Sequence, residues 1–265
     1  MTKNWLSIIG SGTLCVLFIF NMAISGLGQT TGEWKLEKMP AELETEYALS
    51  ALPPHLRDSA TVYLLDPTKG YYMAREGTNG FSAFVERTDW SRGEFVPDMY
   101  APEGFDSIGS KTLMPIFFEI AAMRASGKFT GLQVRDSVVK RVKNGTYKAP
   151  PRTGVCYMLS PLFRANPGEG IINMVMPHYM FYAPYMDDAD IGGGWVTGGH
   201  QPFIINTGDA LDKAHSIFNY IGIAAGETEK AKIIEDNKEL LKRLAAYKSF
   251  LKVDLNDSTM HHHSQ

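Results

Sequence analysis

Five polar side chains of this sequence have types and positions that could line a binding pocket. Glu76 and Asn79 flank a glycine in the run 75–81, where they offer a carboxylate and an amide at the end of an extended segment. His178 and Tyr182 are four residues apart, so they share one face if their segment is a strand. Together with Arg57 they predict a small-molecule site with a polar wall, because strand ends and their loops commonly hold ligands.

Three methionines and a histidine fall on alternate positions, namely Met174, Met176, His178 and Met180. On one extended strand all four would face the same side, and thioether and imidazole groups are ligands suited to copper. Two features favour ordinary packing instead: Pro177 interrupts the strand, and methionine commonly fills gaps in hydrophobic cores. Copper binding is therefore an alternative to small-molecule binding.

The sequence contains two further pairs of groups that could be reactive. Cys156 and His178 could form a thiol nucleophile and its base, although a lone cysteine on an apolar strand is more often an inert small hydrophobe. Glu76 and Glu86 could serve as acid and base, or could form surface ion pairs with the arginines beside them. Because no Gly-x-Ser-x-Gly elbow, His-Glu-x-x-His helix or P-loop occurs, neither an enzymatic activity nor a cofactor is assigned.

The elements that must position these groups are predicted from turn residues and apolar periodicity. Extended runs over 61–66, 71–76 and 81–88 are separated by two turn-like segments, 67–70 and 77–80, as in an antiparallel meander. Helices follow over 111–126 and 130–143, and further strands over 155–159, 178–186, 203–206 and 216–221. Strands and helices are segregated, which indicates an α+β domain over 40–225, with an antiparallel sheet of about five or six strands and helices packed on one side.

A separate amphipathic helix is predicted over residues 226–252. Its apolar residues recur at spacings of four and three, which is the seam of a short coiled coil, and Asn237 interrupts that seam with a polar side chain. The apolar members are Ile233, Leu240, Leu244, Tyr247 and Leu251. The seam could form a homodimer or an envelope interaction module, or it could dock on its own domain, since the repeat is short. The polar tail over 253–265 is predicted to be disordered.

The first 28 residues have the pattern of a secretory signal peptide, and a polar spacer follows over 29–39. Lys3 is the only charged residue of the leader, and Gly26 and Gly28 end its apolar run. We expect cleavage near residue 28 and a periplasmic or extracellular location, with contact to the membrane only through the leader. The alternative is an uncleaved N-terminal anchor, because the uncharged run is long enough to span a bilayer.

Composition limits the partners of the mature chain. Loss of the leader removes Lys3 and changes the formal charge from −3 to −4, which argues against nucleic acid, whose binding faces are usually basic. Of the two cysteines only Cys156 remains, so no internal disulfide can form. The fold must therefore be stabilised by its hydrophobic core, and a small molecule is the partner we expect.

Three segments carry a resemblance to other sequences: Leu52-Pro53-Pro54-His55-Leu56-Arg57-Asp58, Arg75-Glu76-Gly77-Thr78-Asn79-Gly80-Phe81 and Pro177-His178-Tyr179-Met180-Phe181-Tyr182-Ala183-Pro184. In these segments the chain resembles a group of exported bacterial proteins with no established activity, and the likeness covers most of residues 45–220. The resemblance implies export but no reaction. Members of that group tend to have cysteines near the positions of Ala83 and Met99, so the bridge that they imply is absent here.

Overall fold

The computed structural model describes residues 36–166, 170–192, 201–205 and 210–253. The predicted leader, the spacer up to residue 35, most of the glycine-rich loop over 191–199 and the tail from residue 254 lie outside these ranges. None of the helices in these ranges has the length and apolar character of a membrane span. Cleavage of the leader and export are predictions that these ranges do not test.

Eight of the strands in the described ranges form one mixed sheet at the centre of the fold. The strands are β1 (Thr61–Asp66), β2 (Gly70–Arg75), β3 (Ser82–Glu86), β4 (Thr88–Asp89), β5 (Glu94–Phe95), β6 (Ala101–Phe105), β7 (Val155–Met158), β8 (Phe163–Ala165), β9 (Ile172–Met174), β10 (His178–Tyr182), β11 (Phe203–Ile205) and β12 (Tyr220–Ala224). Their order across the large sheet is β11-β12-β10-β7-β6-β3-β1-β2, while β4–β5 and β8–β9 form two small sheets. Neighbours in the large sheet are antiparallel except β1 and β3, which run parallel.

The helices of the described ranges surround this sheet. They are α1 (Ala41–Ser50), α2 (Pro54–Arg57), α3 (Gly109–Thr112), α4 (Met114–Ala125), α5 (Gly131–Lys143), α6 (Glu227–Asp236) and α7 (Lys238–Tyr247). The chain is therefore an α+β protein, as the segregation of its elements predicts. The predicted sheet of five or six antiparallel strands is corrected in two respects, because eight strands pair and one pair is parallel.

The parallel pair arises because the segment 76–81 crosses the start of β1 and does not form a hairpin turn. Two amides of this segment donate to the Ser59 carbonyl oxygen, at 2.8 and 3.2 Å. Gly77 packs on the backbone of Ala60, where an added Cβ would lie 2.3 Å from the Ala60 carbonyl carbon. The chain therefore enters β3 on the far side of β1, and of the two predicted turns only 67–70 forms a hairpin.

Helices cover both faces of the large sheet. Successive residues of β3 alternate between two cores: Ala83 and Val85 pack with α1 and α7, whereas Phe84 packs with α4 and α5. This alternation follows from the two-residue period of a strand. The predicted packing of the helices on one side of the sheet is therefore wrong.

The helix predicted over 226–252 is two helices, α6 and α7, that meet at the buried Asn237. The seam of α7 and the turn that follows it belongs to the core that also contains α1. Leu240, Leu244 and Leu251 are at most 2% exposed there. The chain itself covers this seam, so the helix docks on its own domain, as one of the two alternatives predicts. A homodimer through the helix is a prediction that the structure of a single chain does not test.

Candidate functional site

The Arg57 guanidinium connects three segments of the chain. Its Nε donates to the Leu52 carbonyl oxygen at 2.8 Å, and a terminal nitrogen donates to the Ser50 carbonyl oxygen at 3.3 Å. The other terminal nitrogen donates to the side-chain oxygen of Asn237 at 3.4 Å. Partial burial lowers the pKa of Arg57. The side chain that the sequence assigns to a ligand thus ties the end of α1 to the break between α6 and α7.

Asn79 and Glu76 lie in the segment that crosses β1. The side-chain nitrogen of Asn79 donates to the Leu56 carbonyl oxygen at 2.8 Å, and its side-chain oxygen accepts the Phe81 amide at 3.0 Å. Glu76 is exposed and makes no hydrogen bond or ion pair with any residue that the structure describes. Arg57 and Asn79 belong to two of the three segments that carry the resemblance described above. These two segments therefore pack on each other as one structural unit.

His178 and Tyr182 lie at opposite ends of β10, and both use polar atoms within the fold. The Nδ1–H of His178 donates to the Met176 carbonyl oxygen at 2.8 Å, and burial lowers the pKa of the ring to about 4. The Tyr182 hydroxyl donates to the Asp106 carboxylate at 2.9 Å, the Val155 carbonyl oxygen lies 3.0 Å from the same hydroxyl, and burial raises the pKa of Tyr182. Both side chains are therefore neutral at pH 7, and each ties its strand to neighbouring backbone.

The five residues predicted to wall one pocket lie in two separate places. Arg57, Glu76 and Asn79 are near the start of β1 and the end of β2, whereas His178 and Tyr182 belong to β10, four strand positions from β1. At about 4.8 Å per position, β1 and β10 are roughly 19 Å apart, more than a small ligand spans. The structure does not bring these side chains around one cavity, and a ligand-binding role for each of them is still only a prediction.

The four residues of the copper hypothesis do not share one strand. Met174 ends β9 in a small separate sheet, and His178 begins β10, with Pro177 between them. Met180 is 3% exposed in the core, and Met174 and Met176 pack against the same core. Within the described ranges, no group of three or more His, Cys, Asp or Glu side chains is arranged to hold a metal ion. The single extended strand that a common face requires is therefore not formed, and copper binding has only the residue types in its favour.

Cys156 is buried on β7, diagonally opposite His178 on β10. Burial raises the pKa of the thiol well above its ordinary value, and burial lowers the pKa of the imidazole. Both groups are then neutral, whereas catalysis by a cysteine requires the thiolate. The arrangement gives the nucleophile hypothesis no support, and Cys156 packs as a small apolar residue.

A surface groove of about 280 Å³ lies at the end of α5, in a region that no motif marks. Its walls come from the segment after α5, the turn after β10 and residues 214–217. The lining residues are Val142, Gly145, Tyr147, Lys148, Ala149, Tyr185, Ala214, His215 and Ile217. Val142 and Ile217 are buried and form an apolar base, whereas Lys148 and Tyr185 are exposed. An apolar base with a few polar groups around it is typical of small-molecule sites.

Two loops hold the groove in shape. On one side, the chain leaves α5 through Gly145, which adopts a φ of +73°, and the Tyr147 amide donates to the Arg141 carbonyl oxygen at 2.9 Å. On the other side, Tyr185 adopts a φ of +67°, which is unusual for a residue with a Cβ, and its amide donates to the Ser216 carbonyl oxygen at 2.9 Å. Backbone conformations of this kind are concentrated at ligand sites and tight turns.

The polar groups of the groove differ in how far they are already engaged. The Tyr147 hydroxyl accepts a hydrogen bond from Arg141 at 2.8 Å, and burial raises its pKa to about 12. The Nδ1–H of His215 donates to the Asp212 carboxylate at 2.6 Å, and this hydrogen bond lowers the pKa of Asp212. Lys148 is exposed and has no hydrogen bond or ion pair with the described part of the chain. Its ammonium is the group in the groove most able to bind an anion.

A buried carboxyl pair on the sheet is a second cluster of ionisable groups. Glu86 on β3 and Glu103 on β6 are each 8% exposed, on the face covered by α4 and α5. Burial raises the pKa of Glu103 to about 8, and burial together with the charge of Glu103 raises the pKa of Glu86 well above its ordinary value. Glu76, predicted as the acid–base partner of Glu86, lies after β2, and β1 separates β2 from β3.

Neither cluster is recognisable as a site from the sequence, for different reasons. Glu103 lies in a stretch without clear periodicity, so it is not recognised as part of a strand. Ser82, Phe84 and Glu86 fall on every second position, so on a strand Glu86 shares the face of the apolar Phe84. This is the one signal in the sequence that could have placed a carboxylate on a buried face. The polar groups of the groove lie on loops, where no periodic pattern indicates which side chains converge.

Comparison with known proteins identifies no relative. No family model matches the chain, and neither a curated protein nor a solved structure shows significant similarity to it. The candidate sites must therefore be argued from their own geometry.

Proposed function

We propose that this protein is exported and binds a small organic anion in the groove at the end of α5. The observation that carries the proposal is the exposed ammonium of Lys148, which lines a groove with an apolar base and has no partner among the described residues. His215 lines the same groove, and its Nδ1–H is held by Asp212. When the imidazole is protonated, its Nε2–H is a second donor, and two donors on one concave surface suit a carboxylate or phosphate group.

The groove also limits the size and character of the ligand. Its volume of about 280 Å³ lies just below the range of about 300–1,000 Å³ for drug-sized ligands, so a molecule of roughly ten heavy atoms fits. A ring placed against Tyr147 or Tyr185 gains about 0.5–1.5 kcal/mol, and a charge-assisted hydrogen bond about 1.5–3 kcal/mol. Small ligands bind with about 0.3–1.5 kcal/mol per heavy atom, so an aromatic carboxylate of about nine heavy atoms that gains about 0.45 kcal/mol for each is expected to bind with a Kd of about 1 mM.

The leader supports the same proposal. Cleavage after residue 28 would release the chain outside the cytoplasm, where small molecules that enter the cell envelope are the ligands it meets. The proposal is one of binding alone, and it assigns no chemical step.

The test is an NMR titration of the mature protein, residues 29–265, with benzoate and with benzyl alcohol, its uncharged analogue. We expect benzoate to shift the amide signals of residues 145–149 and 214–217 with a Kd of about 1 mM, and benzyl alcohol to bind roughly tenfold more weakly because it lacks the charge. Backbone amide signals localise the site without a functional assay.

Two lysine variants show whether the charge of the groove is responsible. Lys148→Met keeps most of the side-chain stem and removes the ammonium, so it should weaken benzoate about tenfold. Lys69→Met, in the exposed turn between β1 and β2, is the matched control and should bind benzoate like the wild type. Equal binding by Lys148→Met and the wild type, or benzoate shifts outside the groove, would contradict the proposal.

A further inference from the structure

We propose that Glu86 and Glu103 form a buried proton-binding site, in which the pair retains at least one proton in the folded protein and destabilises the domain when that proton is released. The site lies on the face of the sheet covered by α4 and α5. It is independent of the proposed binding of an anion in the groove.

The strand register places the two carboxyl groups on one face of neighbouring strands. Glu103 pairs with Phe84 and Glu86 pairs with Ala101, so the two glutamates are diagonal neighbours across β3 and β6. Diagonal neighbours on one face are within reach of long side chains. Each residue is 8% exposed, and Oε2 of Glu103 is buried without a hydrogen-bond partner among the described residues. An ionised carboxylate at this position would lose its hydrogen bonds to water and gain none from the protein at Oε2, which costs free energy.

The ionisable groups that face the pair add no positive charge. On neighbouring strands and turns they are Tyr71, Asp89, Cys156 and Tyr220, which are acidic or neutral. The two helices on this face present apolar side chains, among them Phe117, Ile120, Val134 and Val138. Arg87 points to the opposite face, where its guanidinium lies 3.7 Å from the centre of the Tyr100 ring and donates to the Pro97 carbonyl oxygen at 2.8 Å.

Two carboxylates cannot both be ionised in such surroundings, because each charge is desolvated and repels the other. Protonation of one carboxyl removes the repulsion, so the folded state binds protons more tightly than the unfolded chain does. Burial raises the pKa of Glu103 from 4.5 to about 8. The stability that this proton contributes is therefore fully present below about pH 4.5 and is lost as the pH rises through about 8.

The size of the effect follows from the pKa of Glu103. One carboxyl with a folded-state pKa of about 8 lowers the ratio of folded to unfolded protein about 100-fold between about pH 6 and pH 9. Glu44, on the opposite face, has its pKa raised to about 7 by burial and adds about tenfold in the same direction. The pH dependence of wild-type stability therefore contains the contribution of Glu44 as well as that of the pair. Variants of the pair are needed to separate the two contributions.

The experiment measures urea unfolding of the mature protein at about pH 6 and pH 9 for the wild type and for Glu86→Gln, Glu103→Gln and the double variant. Glutamine has the shape of a neutral glutamate and cannot ionise. We expect the wild-type ratio to fall about 1,000-fold or more, and the double variant to fall only about tenfold, which is the part left to Glu44. Glu76→Gln, which changes an exposed carboxylate, is the matched control and should keep the full fall.

A second measurement does not require any variant to fold. The infrared spectrum of wild-type protein with ¹³C-labelled glutamate should show the carbonyl band of a protonated carboxylic acid at about pH 8, where an ordinary glutamate and most of Glu44 are ionised. The proposal is overturned if that band is missing, or if the double variant keeps the wild-type pH dependence. It is also overturned if Ca²⁺ restores stability at about pH 9 with both carboxyls ionised, since the pair would then be a cation site.

Discussion

The Asp106 carboxylate follows β6 and binds donors of three other elements of the fold, so its removal tests how the sheet is held at this end. Its Oδ1 accepts the amides of Ile108 and Gly109, at 3.0 and 2.9 Å, and the Tyr182 hydroxyl at 2.9 Å. Its Oδ2 accepts the Val155 amide at 3.1 Å. These donors belong to the start of α3, to β7 and to β10. We predict that Asp106→Ala lowers the free energy of unfolding far more than a substitution that removes only one of these donors.

The expected magnitude comes from the four donors that lose their acceptor. A hydrogen bond to a charged group contributes about 1.5–3 kcal/mol, and a buried donor left unpaired costs about 1–3 kcal/mol. Ile108 is only half-buried, so water can replace part of the loss at the start of α3. We therefore expect Asp106→Ala to lower the free energy of unfolding by about 3–5 kcal/mol. Tyr182→Phe removes one donor and should lower it by about 1–2 kcal/mol.

Urea unfolding at about pH 7 measures these losses, and a neighbouring tyrosine provides the control. Tyr220 on β12 is 2% exposed, and its hydroxyl makes no hydrogen bond with a described residue. Tyr220→Phe should therefore change the free energy of unfolding by less than about 0.5 kcal/mol. The double variant of Asp106 and Tyr182 should lose about 1 kcal/mol less than the two single losses added, because both remove the same hydrogen bond.

Two outcomes would refute this reasoning. One is a loss below about 1 kcal/mol for Asp106→Ala, and the other is an equal loss for Tyr182→Phe and Tyr220→Phe. Either result would mean that the carboxylate and hydroxyl are hydrated and gain little from each other. Tyr182 would then be available to a ligand, as the sequence predicts.

Two further substitutions test the packing that positions these groups. Leu244→Ala should lower the free energy of unfolding by about 3 kcal/mol, because the side chain is fully buried in the core shared with α1. Sedimentation should show the wild-type oligomeric state, and dissociation of a dimer without loss of stability would support the coiled-coil alternative instead. Gly77→Ala should cost about 2 kcal/mol or more, because the added Cβ meets the Ala60 backbone at 2.3 Å. Gly226→Ala, with no atom within 4 Å of the new Cβ, is its control, and equal urea midpoints would contradict the crossing at β1.

Local signals in the sequence predict local structure well. The helix α5 lies over Gly131–Lys143, close to the predicted 130–143, because Thr130 and Gln133 form a capping box at its start. The turn between β1 and β2 is equally local, since the Asp66 side chain accepts the Thr68 amide and Gly70 adopts a φ of +93°. Signals of this kind need no knowledge of the rest of the fold.

The pairing of β3 is different because it depends on residues far along the chain. The segment 77–80 fits a hairpin turn as well as a crossing, and the choice depends on contacts with Ser59 and Ala60. The strand β6 is missed because Pro102 and Gly104 are both depleted in strands. Gly104 is required there, since the Leu52 side chain occupies the space of a Cβ. This is why the buried Glu103 is not recognised from the sequence.

The polar residues that the sequence marks most strongly are, for the most part, the least available to a ligand. Arg57, Asn79 and Tyr182 donate hydrogen bonds to groups within the protein. To bind a ligand they must break such bonds, at about 0.5–3 kcal/mol each. Lys148 breaks no bond of this kind with the described chain, so its groove is where an anion gains most. A benzoate titration that moved signals around Tyr182, and left those around Lys148 unchanged, would reverse this order.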